Sequence, residues 1–185
     1  ATYFTATANP FKWAARDVGS EANALKVAVI DKGADVQLTL DGPLAVSAVG
    51  TQVQNTGGTK SGYIYAWDAT TNKVSLITSD TWDTTDDVEN GVTDRNVTLV
   101  SDWYDNQVVY TGLPWSSIGP RPGTSPYVAA RGGANDEMHV VVYDSTGEIT
   151  GTPNTLVEKH TYLSKANNAR TSQGAGSYYP QAILD

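Results

Sequence analysis

The chain has 185 residues, a formal net charge of −8 and no Cys. The acidic charge disfavours binding to nucleic acid or to anionic membranes, and the lack of Cys excludes disulfides and thiolate zinc sites. No apolar run approaches membrane-spanning length. The chain starts at Ala1 without Met and stops after the apolar run AIL, which favours a fragment of a longer protein.

Four strands are predicted in the first part of the chain. Residues 25–30 (LKVAVI) form an apolar run, and residues 36–40 (VQLTL) alternate apolar and polar side chains. Residues 63–68 (YIYAWD) and 73–78 (KVSLIT) flank a turn and predict a hairpin. In this hairpin Tyr63, Tyr65 and Trp67 are expected on one face, and Val74 and Leu76 are expected to share a face.

The middle of the chain is ambiguous. Residues 79–94 are acidic and rich in turn residues, which favours a solvated loop. Beyond them, apolar residues recur at steps of 3 and 4, as in an amphipathic helix capped by Thr93 or Asp94. The members of this series are Val97, Val100, Tyr104 and Val108. The competing interpretation is a strand at 96–100 followed by a helical turn at 102–107.

The last part of the chain predicts further strands around an irregular loop. Residues 114–127 contain four prolines and should be extended. Residues 138–143 (MHVVVY) are apolar on both faces, as in a central strand. A partner strand is expected to start at 148–151 (EITG), and residues 155–163 (TLVEKHTYL) predict another strand.

These elements predict a β-dominated α+β fold with antiparallel or mixed sheets and a few short helices. We expect one domain over residues 1–185. A shift in charge composition near Ser79 divides it into a possible β-rich subregion, 1–78, and a second subregion, 79–185.

Two groups of carboxylates are candidates for chemistry. Calcium binds clustered carboxylates, but the cluster at 80–89 lacks the spacing of an EF-hand loop, and a solvated loop is the favoured interpretation. Its members are Asp80, Asp83, Asp86, Asp87 and Glu89. Glycoside hydrolysis needs two carboxylates, for which Asp136, Glu137 and Asp144 are the one tempting set. Asp136 is instead expected to cap or close a turn before the strand, and Asp144 to start the turn after it.

The other candidate residues favour structural roles. His139 and His160 are the only histidines, and no nucleophile elbow or metal-ligand spacing accompanies them. The pairs Gly57–Gly58 and Gly132–Gly133 match no phosphate-binding motif. Five Trp and ten Tyr favour a role in surface contacts or sugar binding. We therefore assign no catalytic, cofactor-binding or metal-binding residue.

The segment from Trp115 to Ala166 carries a series of motifs. They are Trp115, PRPGTS at 120–125, Gly132–Gly133, DEMHVVV at 136–142, Asp144, Gly147, ITG at 149–151, VEK at 157–159 and LSKA at 163–166. This series resembles the tail sheath proteins of contractile-tailed phages of the T-even type. Upstream, DWYDNQ at 102–107 resembles the same family, and so, with an interruption, do Asn9, Pro10, Trp13 and NALKVAVI at 23–30. Residues 36–90 match no part of the family.

The resemblance implies a structural virion protein without catalysis or cofactor. Sheath subunits assemble around the tail tube and contract to drive it into the host, so other sheath subunits, tube proteins and baseplate proteins are the expected partners. The chain would be a middle or outer domain fragment, monomeric alone, located in the virion tail after assembly in the host cytoplasm. The alternative is a carbohydrate-binding or adhesin β domain that uses Trp67 and Trp82 as stacking platforms.

Overall fold

The computed structural model describes residues 20–45 and 47–184. The motif residues Asn9, Pro10 and Trp13 lie outside this range. Strands far outnumber helices, which confirms the β-dominated α+β class. The strands are β1 Leu25–Asp31, β2 Val36–Leu40, β3 Gln52–Gln54, β4 Ser61–Asp68, β5 Lys73–Ile77, β6 Asp87–Glu89, β7 Asp94–Asp102, β8 Val108–Tyr110, β9 Leu113–Pro114, β10 Glu137–Asp144 and β11 Thr155–Ser164.

The helices of the described residues are short. They are α1 Pro126–Ala129, α2 Tyr179–Leu184 and 3-10 helices at Ser20–Ala24, Tyr104–Asn106 and Trp115–Ser117.

Six strands close into an antiparallel barrel in the order β2-β5-β4-β3-β6-β7. Alternate side chains point inward, as closure of a small barrel requires. The interior therefore collects apolar residues from every strand, including Leu38, Val53, Ile64, Leu76 and Val88. The hairpin of β4 and β5 is confirmed, and both Val74 and Leu76 are fully buried in the barrel.

A second sheet has the order β1-β10-β11, with β10 in the centre. Its register runs from Leu25 opposite Asp144 to Asp31 opposite Met138. The prediction of a central strand at 138–143 is confirmed, since β10 is largely buried on both faces. One face packs on a cluster that includes Trp103, Trp115 and Val141, and the other face packs against α2.

The barrel is an insertion into this second sheet. The chain leaves the sheet at the end of β1, builds the barrel between residues 36 and 102, and returns to the sheet as β10. Ser79 lies within the barrel segment. The subregions 1–78 and 79–185 therefore do not correspond to the two sheets, because charge composition does not follow strand pairing.

The predicted helix over 94–108 is wrong, and the competing interpretation of a strand followed by a helical turn is confirmed. β7 pairs with both β2 and β6 and closes the barrel. A register shift places Leu99 opposite Thr39 and Val97 opposite Leu40. Thr98 is thus the extra residue of a β-bulge, which brings Val97 and Val100 to the same side at a spacing of three. A spacing of three between core-facing residues is also typical of a helix, which is why the sequence pattern favoured a helix here.

Three further predictions need correction. The acidic segment 79–94 is not wholly a solvated loop, because it contains β6 and places Trp82 and Val88 in the barrel core. The residues EITG at 148–151 lie in a turn, and the partner strand starts at Thr155. Tyr63 and Tyr65 are exposed, but Trp67 packs on the core because a bulge interrupts β4 between Ile64 and Ala66.

Candidate functional site

The buried polar groups around β10 form the densest arrangement of predicted site residues. Asp136 lies just before the strand and is only 6% exposed. Its Oδ1 accepts a hydrogen bond of 2.8 Å from the Ser125 backbone nitrogen, and its Oδ2 accepts from the hydroxyls of Ser125 and Ser164. The carboxylate therefore joins the segment 114–127, called the Pro-rich loop below, to β11.

These contacts control the charge of Asp136. Burial raises the pKa of its carboxyl, but the hydrogen bonds from Ser164 and Ser125 outweigh burial and hold the pKa below its ordinary value. The group is an anion whose acceptor sites are used by the chain itself. Its partners lie 11 and 28 residues away in the chain, so the carboxylate joins distant segments, whereas its position before the strand predicted a local turn.

Ser125 also caps the short helix that follows it. Its hydroxyl also accepts a hydrogen bond of 3.3 Å from the backbone nitrogen of Val128, so Ser125 is the N-cap of α1. Pro126 follows at the first helical position, where its missing N–H costs nothing. Local capping thereby explains the Ser125–Pro126 pair of the loop.

His139 occupies the fully buried interior of β10. Its Nδ1 accepts a hydrogen bond of 3.1 Å from the backbone nitrogen of Tyr162, and its Nε2 lies 2.8 Å from the carbonyl oxygen of Pro120. The accepting Nδ1 makes the ring the neutral tautomer with hydrogen on Nε2, which donates to Pro120. The ring connects the Pro-rich loop with the edge strand β11.

Asp144 ends β10 and organises the following turn, as the sequence predicted. Its Oδ1 accepts from the Gly147 backbone nitrogen at 2.8 Å. Its Oδ2 accepts from the backbone nitrogens of Ile149 and Thr150 and from the Thr150 hydroxyl. Burial raises the pKa of Asp144, but the donors of this turn outweigh burial and lower it to about 2.

Asp136 and Asp144 are too far apart to form the carboxylate pair that glycoside hydrolysis needs. Asp136 and Asp144 lie at opposite ends of β10, eight residues apart, which corresponds to about 26 Å of extended strand. Catalytic carboxylates of glycosidases are separated by about 5–9.5 Å. Glu137 is instead engaged with the Pro-rich loop, since its Oε2 accepts from the Gly123 backbone nitrogen at 3.0 Å.

The acidic cluster at 80–89 is arranged around Lys60. The Lys60 Nζ lies 2.6 Å from Asp86 Oδ2 and 3.3 Å from Asp83 Oδ2. The hydrogen bond with Asp86 is the main reason that the pKa of Lys60 is raised. Asp80 and Asp87 bind the neighbouring loop, through the backbone nitrogens of Ser61 and Thr56. The cluster therefore anchors the loop between β3 and β4.

In residues 20–45 and 47–184, no group of three or more His, Asp or Glu side chains is arranged to hold a metal ion. His160 lies on the exposed side of β11, where its Nε2 is 3.2 Å from Glu158 Oε2. Gly57, Gly58 and Gly132 have positive φ values, as in ordinary turns.

Some of the aromatic residues are buried in the core, and others are exposed on the surface. Trp82, Trp103 and Trp115 are buried, so Trp82 is not available as a sugar-stacking platform. Tyr63 is 52% and Tyr65 37% exposed on the outer face of β4. Tyr63 lies between Gln52 of β3 and Ile77 of β5 in the sheet register.

Sequence reasoning missed the partners of these residues. Ser125, Ser164 and Lys60 contact carboxylates that are 11, 28 and 26 residues away. The capping signal of Ser125 before Pro126 was readable in the sequence. No local signal identifies Ser164 or Lys60.

No family model matches the chain, and no curated protein and no solved structure is significantly similar to it. Among the described residues, none of the helices combines the length and the apolar character that crossing a bilayer would take.

Proposed function

We propose that the chain is a structural part of a contractile phage tail sheath protein, with a mechanical function and no catalysis. One observation carries the proposal. The motifs that resemble the sheath family lie in two segments, around β1 and from residue 102 to 166, and these segments assemble into one unit. β1 and β10 pair along seven positions although the barrel separates them in sequence.

The segment without resemblance is also one structural unit. Residues 36–90 contribute five of the six barrel strands, and β7 supplies the sixth. A resemblance arising by chance would not be expected to follow the division between the two sheets. The division is consistent with a sheath scaffold that carries an inserted barrel.

The hydrogen bonds around β10 fit a protein that transmits mechanical force, because they hold the Pro-rich loop in place. Asp136 and His139 both connect the Pro-rich loop to β11 through buried hydrogen bonds. Buried polar groups with satisfied partners favour one specific arrangement of the chain. A subunit that transmits force between neighbours needs loops held in this way.

Immunogold electron microscopy of the phage that encodes the chain tests the proposal. Antibodies raised against the purified protein should label the full length of the tail sheath, before and after contraction. Labelling limited to fibres or to the baseplate would overturn it, and so would virions that are not labelled although a denatured-virion blot detects the chain. The purified chain is expected to sediment as a monomer, because assembly would require the rest of the subunit.

The second candidate is a carbohydrate-binding surface on the barrel. The exposed ring of Tyr63, with the amide of Gln52 beside it, offers stacking and hydrogen-bonding groups for a sugar. Tyr65 is 37% exposed and contacts the Trp103 ring edge-on, so only part of its ring is available. A glycan array would show binding by the intact chain that is lost in Tyr63→Ala and Tyr65→Ala and retained in Tyr127→Ala, which lies outside the barrel. Absence of glycan binding by the intact chain would eliminate this candidate.

A further inference from the structure

The turn between β6 and β7 is held by both the backbone and the side chain of Asn90. The Asn90 backbone nitrogen donates to the carbonyl oxygen of Thr93 at 3.2 Å and closes the turn. The side chain of Asn90 curls in the same direction, and its Oδ1 accepts from the backbone nitrogens of Val92 at 3.1 Å and Thr93 at 2.9 Å. The hydrogen bond from the Val92 backbone nitrogen closes a hydrogen-bonded ring, and the peptide nitrogen of Gly91 is one of the atoms in that ring.

The same side chain carries the electrophile of a possible ring closure. A five-membered imide would join the side-chain carbonyl carbon of Asn90 to the backbone nitrogen of Gly91, and the two backbone donors on Oδ1 draw electron density away from that carbon. Gly91 has no side chain to hinder approach, and its φ of 80° is a conformation that glycine adopts without strain.

Water reaches this site. Asn90 and Gly91 line an open depression of about 130 Å³ together with Gln52 and Glu89. The next residue, Val92, is 68% exposed. A reaction that hydroxide catalyses and that consumes water can therefore proceed in the folded protein.

We propose that Asn90 is a site of spontaneous deamidation through a cyclic imide with Gly91. Hydroxide removes the proton of the Gly91 backbone nitrogen, and this nitrogen forms a bond to the side-chain carbon of Asn90. The bond from that carbon to the amide nitrogen breaks, and ammonia leaves after taking a proton from water. Water then opens the imide at either carbonyl and leaves aspartate or isoaspartate, with no oxidant or reductant involved.

The product would alter the end of the barrel. Asp94 is next to the turn, and its pKa is raised by burial, by its hydrogen bond with Asp87 and by the charges of Asp87, Glu89 and Asp41. A carboxylate at position 90 adds another negative charge to this group. Isoaspartate would also lengthen the backbone between Glu89 and Asp94, which are paired in the β6–β7 register.

Peptide mapping by mass spectrometry of the folded protein, incubated at mildly alkaline pH, tests the proposal. The peptide containing Asn90 should be progressively lost and replaced by two products heavier by about 1 Da, one of them isoaspartate. The peptides with Asn55 and Asn96, which precede Thr56 and Val97, serve as internal controls and should stay unchanged. An unchanged Asn90 peptide in the folded protein, with conversion only after denaturation, would show that the fold protects the site and would overturn the proposal.

Two variants make the test specific. Gly91→Ala adds a methyl group beside the attacking nitrogen, in a position with no atom within 4 Å. Its positive φ of 80° should cost about 1 kcal/mol, so the variant should still fold while imide formation falls sharply. Asn90→Gln lengthens the side chain and should abolish the imide. Deamidation of residue 90 in Gly91→Ala at the rate of the parent chain would contradict the mechanism. Should this variant not fold, deamidation of Asn90→Gln at the parent rate would contradict it equally.

Discussion

The hydroxyl of Ser164 donates a hydrogen bond to the carboxylate of Asp136, although the two residues are 28 positions apart in the chain. Both are buried, and Asp136 also holds Ser125 at the start of α1. One carboxylate thus joins the end of β11, the beginning of β10 and the Pro-rich loop.

Replacing Asp136 should lower the stability of the whole protein. Asp136→Asn removes the charge and puts an NH2 group in place of one carboxylate oxygen, so either the Ser125 backbone nitrogen or the two serine hydroxyls lose their acceptor. We expect the free energy of unfolding to fall by about 1–3 kcal/mol, the cost of an unsatisfied buried polar group. Urea unfolding measures this change. The exposed Asp105→Asn is the matched control and should leave the midpoint unchanged; equal effects of both variants would refute the role of Asp136.

Asp144 should make the protein sensitive to acid. Its pKa is about 2 in the folded protein, below the ordinary value of 3.8. The stabilisation by its carboxylate is therefore fully present above the ordinary value and is lost as the pH falls from there towards about 2. Thermal unfolding across this range should show a steep decline for the parent chain and a flatter one for Asp144→Asn. Parallel curves would mean that Asp144 does not contribute to the acid sensitivity.

Gly33 is expected to tolerate no side chain. Its φ is 58°, and a Cβ atom would lie 2.1 Å from Cζ3 of the Trp103 ring. Gly33→Ala should cost about 2–4 kcal/mol, from the left-handed backbone and from displacement of the buried ring. Gly50→Ala is the control, because its φ is 85° but no atom lies within 4 Å. It should cost only about 1 kcal/mol, and urea unfolding that ranks the two variants in the opposite order would contradict the packing.

Trp82 should matter for folding and not for surface binding. It packs in the barrel core with Leu38, Val88 and Val97 and is 4% exposed. Trp82→Ala should destabilise the protein by about 3–5 kcal/mol, as expected for loss of a buried aromatic side chain. Tyr63→Ala, at an exposed position of the same barrel, should change the unfolding midpoint little. A stable Trp82→Ala protein would show that the ring is not a core residue.

The positions of most strands were readable in the sequence because each is a short apolar or alternating run between turn residues. β1, β2, β4, β5, β10 and β11 were found this way. The role of Asp144 was also readable, since a carboxylate at a strand end commonly accepts hydrogen bonds from turn backbone. Local composition was sufficient for these features.

Only the tertiary structure decided which strands pair and which way the bulged strands face. A bulge at Thr98 gave β7 a helical spacing, and a bulge after Ile64 turned Trp67 towards the core. The barrel itself depends on pairs between distant segments, such as Val36 with Asp102. The sequence by itself determined where the chain extends and where it turns. Long-range hydrogen bonding determined the partner of each strand, and packing of the barrel core determined which face of each strand is buried.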